Sequence, residues 1–110
     1  MDSSSSLAVF AALSQASRLE AFRLLVRHEP TGLPAGDVAR LLGVPQNTMS
    51  NHLAILHRAG LVQPLREGRS IIFRAQLERL RELMLFLAED CCQAHPDVCA
   101  PLVAALTPCC

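Results

Sequence analysis

Two short amphipathic segments that meet at a tight break constrain this fold more than any other feature of the chain. The first segment spans residues 33–43 and ends at a glycine, a residue common just beyond a helix. Its apolar residues Val38, Leu41 and Leu42 recur at helical spacing. The second segment spans residues 45–60 and begins with a proline, which is favoured in the first turn of a helix. The pattern predicts two short helices joined by a tight turn.

The second segment separates apolar residues from hydrogen-bonding residues. Met49, Leu53 and Leu56 stand at i, i+4 and i+7, which places them on one inner face. The opposite side carries amides and hydroxyls, which can bond base edges or phosphates, and the first helical turn offers N–H groups to a phosphate. This arrangement is typical of the recognition helix of a helix-turn-helix. Its candidate DNA contacts are Gln46, Asn47, Thr48, Ser50, Asn51 and His52.

The chain then changes from helical to strand character and carries two arginines near a turn. Residues 71–73 are strand formers, and Glu67–Gly68 predicts the turn of a hairpin. Arg66 and Arg69 flank that turn, where they can contact phosphates or enter a minor groove. The fold class that follows is mainly α with a small β-hairpin wing, which is a winged helix-turn-helix.

Further helices on both sides complete this plan. A short helix is expected over residues 7–12, followed by a second helix with Ser17 as its N-cap and Leu19 on its core stripe. A long helix begins near residue 76, and its apolar residues are spaced 3, 4, 3 and 4 apart. These seam residues are Leu77, Leu80, Met84, Leu87 and Cys91. Because a small domain has a limited core, we expect this seam to face its copy in a dimer.

The charge of the chain is neutral in total but divided by segment. Ten arginines balance ten acidic residues, which argues against a generic polyanion binder. Residues 41–77 hold four arginines and one acid, a net charge of +3, whereas residues 78–110 hold two arginines and five acids, a net charge of −3. The charge distribution therefore predicts a basic DNA-reading region followed by an acidic end.

The five cysteines are confined to the last twenty residues. They are Cys91, Cys92, Cys99, Cys109 and Cys110. The polar start of the chain does not resemble a signal peptide, and no apolar run approaches the ~18 residues of a membrane span, so we expect a cytoplasmic protein without membrane contact. In a reducing compartment, clustered thiols favour metal or redox chemistry over structural disulfides. We therefore divide the chain into a DNA-binding and dimerisation domain, 1–93, and an effector-binding tail, 94–110.

The segment 46–74 resembles the recognition helix and wing of the ArsR/SmtB family of metal-responsive winged-helix repressors. The resemblance implies a homodimer joined through its first and last helices, with two recognition helices that enter major grooves of double-stranded operator DNA about 34 Å apart. It also implies that the protein represses transcription until an effector binds. The matching residues are Ser50, His52, Leu53, Leu56, Ala59, Gly60, Leu61, Val62, Arg66, Gly68 and Arg69.

The resemblance also limits which effectors and effector sites are expected. The cysteine pair that many family members carry before the recognition helix is missing, and so are histidines along the last helix, which leaves the late thiols. Soft thiolates select soft acceptors such as trivalent antimony or arsenic, including methylarsenite. The antimonite- and arsenite-responsive branch resembles this chain in its late cysteines, and implies a site of Cys99 from one chain with Cys109 from the other. Cys110 is the next candidate, and Cys91, Cys92 and Cys99 within one chain form the competing site.

Two alternative effectors and one alternative class stay open at this point. A thiol redox-sensing repressor would form disulfides between the same cysteines. A zinc-responsive repressor would add His95 to them, although zinc usually requires four ligands at familiar spacings. An enzyme is not expected, because the chain has no C-x-x-C motif and no base or nucleophile constellation. No prosthetic group is expected either.

Overall fold

Five helices and a three-stranded antiparallel sheet form the part of the chain that the computed structural model describes, residues 1–94 with Asp97 and Pro101. This architecture confirms the predicted winged helix-turn-helix with a small β-wing. The elements in chain order are α1 (Ser3–Leu13), α2 (Ala16–Arg27), β1 (Leu33–Pro34), α3 (Ala35–Leu42), α4 (Gln46–Arg58), β2 (Val62–Glu67), β3 (Ser70–Ala75) and α5 (Leu77–Ala94).

The core lies between α4 and the helices that precede it. Met49, Leu53 and Leu56 are all completely buried, which confirms the inner face that their spacing predicts. They pack in one cluster with Leu25 of α2 and Val38 of α3, both also completely buried. Because α4 is held by its apolar face, its opposite face is left for solvent or a ligand.

The turn between α3 and α4 depends on one glycine. Gly43 has φ of +67°, in the left-handed region where residues with a Cβ are strained, and α3 ends there as predicted. The Val44 N–H then donates to the Ala39 carbonyl at 3.0 Å, which satisfies one of the last carbonyls of α3. Leu41 is 51% exposed, although it recurs at helical spacing with the completely buried Val38.

The first two helices begin at residues other than those expected. The Asp2 carboxylate accepts from the Ser5 N–H at 2.7 Å, so α1 begins at Ser3 rather than Leu7, and the bonds from Ser5 lower the pKa of Asp2. The Gln15 side chain, not Ser17, caps α2, because its Oε1 accepts from the Arg18 N–H at 2.9 Å. Ser17 consequently lies within the first turn of α2.

The sheet has the order β1-β3-β2, with the wing hairpin formed by β2 and β3. Glu67 pairs with Ser70, so Gly68 and Arg69 form the two-residue loop, one position later than the predicted turn. The short strand β1 was not predicted; its Leu33 pairs with Phe73 of β3. Two residues are too few to show a strand periodicity, whereas the tertiary pairing defines them clearly.

The outer helices α1 and α5 leave apolar side chains exposed. On α5, Leu83 is buried in the core cluster and Ala88 is also buried, whereas Met84 is 39% and Leu87 57% exposed. Leu19 of α2 is also 39% exposed, so the prediction that it lies on a core stripe was wrong. Within the described residues, no helix combines the length and apolarity that crossing a membrane requires.

Candidate nucleic-acid interface

The outer face of α4 presents a row of polar side chains. None of these side chains hydrogen-bonds to another side chain within residues 1–94. The Asn47 carbonyl oxygen accepts from the Thr48 N–H at 2.9 Å, which leaves the Asn47 amide nitrogen free to donate. Gln46 lies against the first turn of α3, since a Cβ built on Gly36 would be 3.6 Å from its Nε2. The exposed residues of this face are Gln46, Asn47, Thr48, Ser50, Asn51 and Arg58.

The first turn of α4 is open to an anion. Pro45 occupies the N-cap position, and its side chain makes no capping hydrogen bond. A proline side chain has no hydrogen-bonding atom, and the Thr48 N–H already donates to Asn47 Oδ1. The N–H groups of Gln46 and Asn47 therefore stay available together with the positive end of the helix dipole. The turn therefore suits a phosphate next to the amide and hydroxyl side chains of the same helix.

The two histidines of α4 differ in their surroundings. His52 is half-buried, and its buried Nδ1 has no hydrogen-bond partner within the described residues. A buried lone pair costs less than a buried N–H without an acceptor, so we assign the hydrogen to Nε2, where His52 can donate. His57 instead uses Nδ1 to bond the Val62 carbonyl at 3.1 Å, which joins α4 to β2.

The wing uses its three arginines in two ways. Arg66 and Arg69 are exposed at the tip, as predicted, and form no ion pair within residues 1–94. Arg74 turns back to the body: its Nη2 donates to Glu29 Oε2 at 2.7 Å and its Nε donates to Oε1 at 3.3 Å. The hydrogen bonds and charge of Glu29 raise the pKa of Arg74. Arg74 thus fastens the wing to the α2–β1 connection and is not available at the tip.

Sequence reasoning missed this attachment because the two residues are 45 positions apart. Arg74 contributed to the positive charge of the basic segment, and Glu29 belonged to a neutral one. The side chain of Glu29 is only 15% exposed, and a carboxylate that is mostly buried requires a cationic partner. No motif or spacing in the sequence identifies that partner.

The structure contains only part of the predicted thiol site. Cys91 and Cys92 belong to the last turn of α5, whereas Cys99, Cys109, Cys110 and most of the predicted tail 94–110 lie outside the described residues. Among the described residues, no three His, Cys, Asp or Glu side chains come together as a metal site.

A recognition helix with an exposed polar face, beside a hairpin with a basic tip, defines a DNA-binding protein of the winged helix-turn-helix class. Residues 1–63 match the family model described as a helix-turn-helix domain. The chain is also 30% identical over 90 residues to the HTH-type transcriptional regulator KmtR from Mycobacterium tuberculosis, covering 82% of this chain and 67% of KmtR. The protein belongs to the ArsR/SmtB family of winged-helix transcriptional regulators.

Two further proteins share sequence and fold with this chain. The transcriptional activator HlyU from Vibrio cholerae is 26% identical over 94 residues, covering 86% of this chain and 84% of HlyU. A solved structure of reduced HlyU has a TM-score of 0.62 at 25% identity and covers 76% of this chain and 85% of that one. An ArsR-like transcriptional regulator from Rhodococcus sp. RHA1 has a TM-score of 0.74 at 26% identity, covering 94% and 93%. These relatives are regulators of transcription and not enzymes.

Proposed function

We propose that this protein is a homodimeric repressor that binds operator DNA without effector and releases it when trivalent antimony or arsenic, including methylarsenite, binds its C-terminal thiolates. The observation that carries the proposal is the exposed polar face of α4 beside the basic wing tip. The proposed base and phosphate contacts come from that face and from the wing tip. They are Gln46, Asn47, Thr48, Ser50, Asn51, His52, Arg66 and Arg69.

The apolar side chains left exposed on α1 and α5 support the homodimer. Leu7 is 66% and Phe10 40% exposed on α1, and Leu87 is 57% exposed on α5. Large apolar side chains that a small protein leaves exposed on two of its helices are candidates for an interface. A twofold-symmetric dimer would bury these residues and hold the two copies of α4 for successive major grooves about 34 Å apart.

The position of the cysteines supports the effector site. None of the five cysteines occurs in residues 1–90, so a multi-thiol site must lie at the end of α5 or beyond it. Because α5 also carries exposed apolar residues of the proposed dimer, ligands there can change how two subunits meet. We propose Cys99 of one chain with Cys109 of the other as the ligands, with Cys110, Cys92 and Cys91 as secondary candidates.

The proposed mechanism is a negative coupling between the thiol site and the DNA-reading surface. A coupling of about 1–3 kcal/mol would lower operator affinity 5- to 150-fold. The metalloid binds deprotonated thiolates, so effector binding releases protons and weakens at low pH. In this proposal the protein acts on DNA in the cytoplasm. It requires no prosthetic group.

Fluorescence anisotropy tests the proposal on a DNA duplex that the wild-type protein selects from a random-sequence library. Antimonite, arsenite, methylarsenite and zinc are titrated separately into the complex. We expect release with the trivalent metalloids, and loss of that release in Cys99→Ser and Cys109→Ser. The matched controls, Cys91→Ser and Cys92→Ser, should still release DNA. If Cys91→Ser and Cys92→Ser lose the release together with Cys99→Ser, while Cys109→Ser keeps it, the site within one chain is correct.

Thiol oxidation is the second candidate signal. The relative HlyU has a structure described as reduced, and vicinal thiols such as Cys109 and Cys110 are candidates for oxidation. A redox sensor should release the selected duplex under peroxide, regain it with a thiol reductant and ignore antimonite. Counting free thiols before and after each treatment distinguishes disulfide formation from metalloid binding. Release by zinc alone would instead favour the zinc-responsive alternative.

A further inference from the structure

We propose that Arg79 of α5 is a positioning residue for sequence reading by α4. Its Nε donates to the carbonyl of Ala59, which caps the C-terminal end of α4, at 3.2 Å. The last carbonyls of a helix lack partners within the helix and carry its partial negative charge, so a guanidinium is a strong partner for them. Arg79 thus holds the far end of the recognition helix from another element.

The neighbouring glycine makes this contact sterically possible. Gly60 follows Ala59 with φ of +82°, and a Cβ built on it would lie 2.9 Å from Nε of Arg79. Any other residue at position 60 would be strained and would push the guanidinium off the Ala59 carbonyl. Both the conformation and the side-chain size of Gly60 therefore serve the approach of Arg79.

Other hydrogen bonds hold the start of α5 near the end of α4. Together with the Arg79–Ala59 bond they form a contact that we call the joint between α4 and α5. The Gln76 N–H donates to the Leu61 carbonyl at 2.8 Å, and the side-chain amides of Gln76 and Gln63 bond to each other. Arg79 is only 29% exposed, and its Nη1 lies 3.7 Å from a carboxylate oxygen of Glu82 on the same helix. The side chain is therefore held between α5 and the end of α4, rather than extended into solvent.

This joint affects base reading differently from phosphate binding. Side chains on α4 must meet base edges within hydrogen-bonding distance, so a small rotation of the helix weakens specific contacts. Contacts to phosphates depend mainly on charge and tolerate such a change better. Losing Arg79 should therefore reduce discrimination between DNA sequences while the number of phosphate contacts stays the same. The inference rests on DNA reading by α4 and not on the identity of the effector.

Arg79→Met tests the role of Arg79, with Arg81→Met as its matched control. Arg81 lies on the same helix and loses the same charge, but it is 67% exposed and pairs with Glu78 of α5 itself. Anisotropy titrations use the duplex selected by wild type and a shuffled duplex of equal composition, each at several salt concentrations. Arg79→Lys keeps the charge and one donor nitrogen but not the planar guanidinium, and is compared with Arg81→Lys if Arg79→Met does not fold.

Arg79→Met should lose about tenfold affinity for the selected duplex, comparable to one mismatched base pair, with little change on the shuffled duplex. Its salt slope should equal that of wild type, and Arg81→Met should behave as wild type on both duplexes. Equal binding of the selected duplex by the two methionine variants overturns the proposal. So does an equal loss on both duplexes with a slope lower by about 0.9, because that pattern identifies Arg79 as a phosphate contact.

A measurement without DNA keeps the joint testable if the wild-type protein selects no duplex. Residual dipolar couplings report the direction of backbone N–H bonds, and hence the orientation of α4 relative to α5. We expect this orientation to change in Arg79→Met and to stay at its wild-type value in Arg81→Met. An unchanged orientation in Arg79→Met overturns the positioning role, whereas failure to select DNA contradicts the assigned function of α4 alone.

Discussion

Leu87→Glu is expected to dissociate the proposed homodimer, because Leu87 is a large apolar residue on α5 that its own chain leaves 57% exposed. Full burial of a leucine contributes about 1.5–3 kcal/mol, so burial of the exposed part contributes about 1–1.5 kcal/mol. A twofold-symmetric interface contains the residue twice, which gives about 2–3 kcal/mol for each dimer. The dissociation constant should therefore rise about 30- to 150-fold, and further if the new carboxylates are buried without partners.

Sedimentation velocity over a dilution series measures this dissociation constant directly. Leu41→Glu is the matched control, because Leu41 is 51% exposed but belongs to α3, outside the proposed interface of α1 and α5. The control should dimerise like wild type, while Leu87→Glu becomes monomeric at concentrations where wild type is still dimeric. Identical dissociation constants for the two variants would refute the assignment of α5 to the interface.

Three further predictions concern the wing tip, the wing attachment and the first helix cap. Arg66→Met together with Arg69→Met should weaken binding to selected and shuffled duplexes alike and lower the salt slope by about 1.8, because each phosphate contact contributes about 0.9. Glu29→Gln should lower the thermal unfolding midpoint measured by circular dichroism, since Arg74 loses the charge of a mostly buried partner. Asp2→Ala should lower that midpoint at neutral pH. The difference should fade as the pH falls from about 4 through the folded pKa of Asp2, because capping hydrogen bonds hold that pKa below its unfolded value.

Each of these results has a control or a contradicting outcome. A double wing variant with an unchanged salt slope would show that the tip does not contact phosphates. Glu20→Gln is the control for Glu29→Gln, because Glu20 is 49% exposed and its oxygen lies 3.7 Å from Arg23, so its loss should leave the midpoint unchanged. If the unfolding midpoint of Asp2→Ala stays below that of wild type by the same amount at low pH, the carboxylate is not the cap of α1.

The recognition helix could be predicted from the sequence because its buried residues and its polar residues both follow the helical repeat of one local segment. The inner residues Met49, Leu53 and Leu56 and the outer amides alternate within a single helix, so helical spacing alone separates them. The basic hairpin was equally local, since its strands are adjacent in the chain. The loop lies one residue later than predicted, because the register of the strand ladder decides the final pair, Glu67 with Ser70.

The remaining errors concern residues whose environment depends on distant elements. Leu19 and Leu41 are spaced as core residues, yet the helices that carry them bury other residues and leave these two exposed. Helical periodicity locates an apolar stripe only approximately, and the neighbouring elements decide which of its members are covered. Leu19 lines a surface pocket together with Leu80 of α5, and its exposure there agrees with a subunit interface that a single chain cannot complete.

The sequence by itself determined the order of the five helices and the wing hairpin, the polar face of α4, the basic wing tip and the confinement of thiols to the last twenty residues. These properties follow from local spacing and composition. Only the tertiary structure decided that Arg74 fastens the wing through Glu29 and that Arg79 holds the end of α4 through Ala59. The physical reason is that each of these hydrogen bonds joins residues 20 or 45 positions apart, and their meeting depends on how all the elements pack.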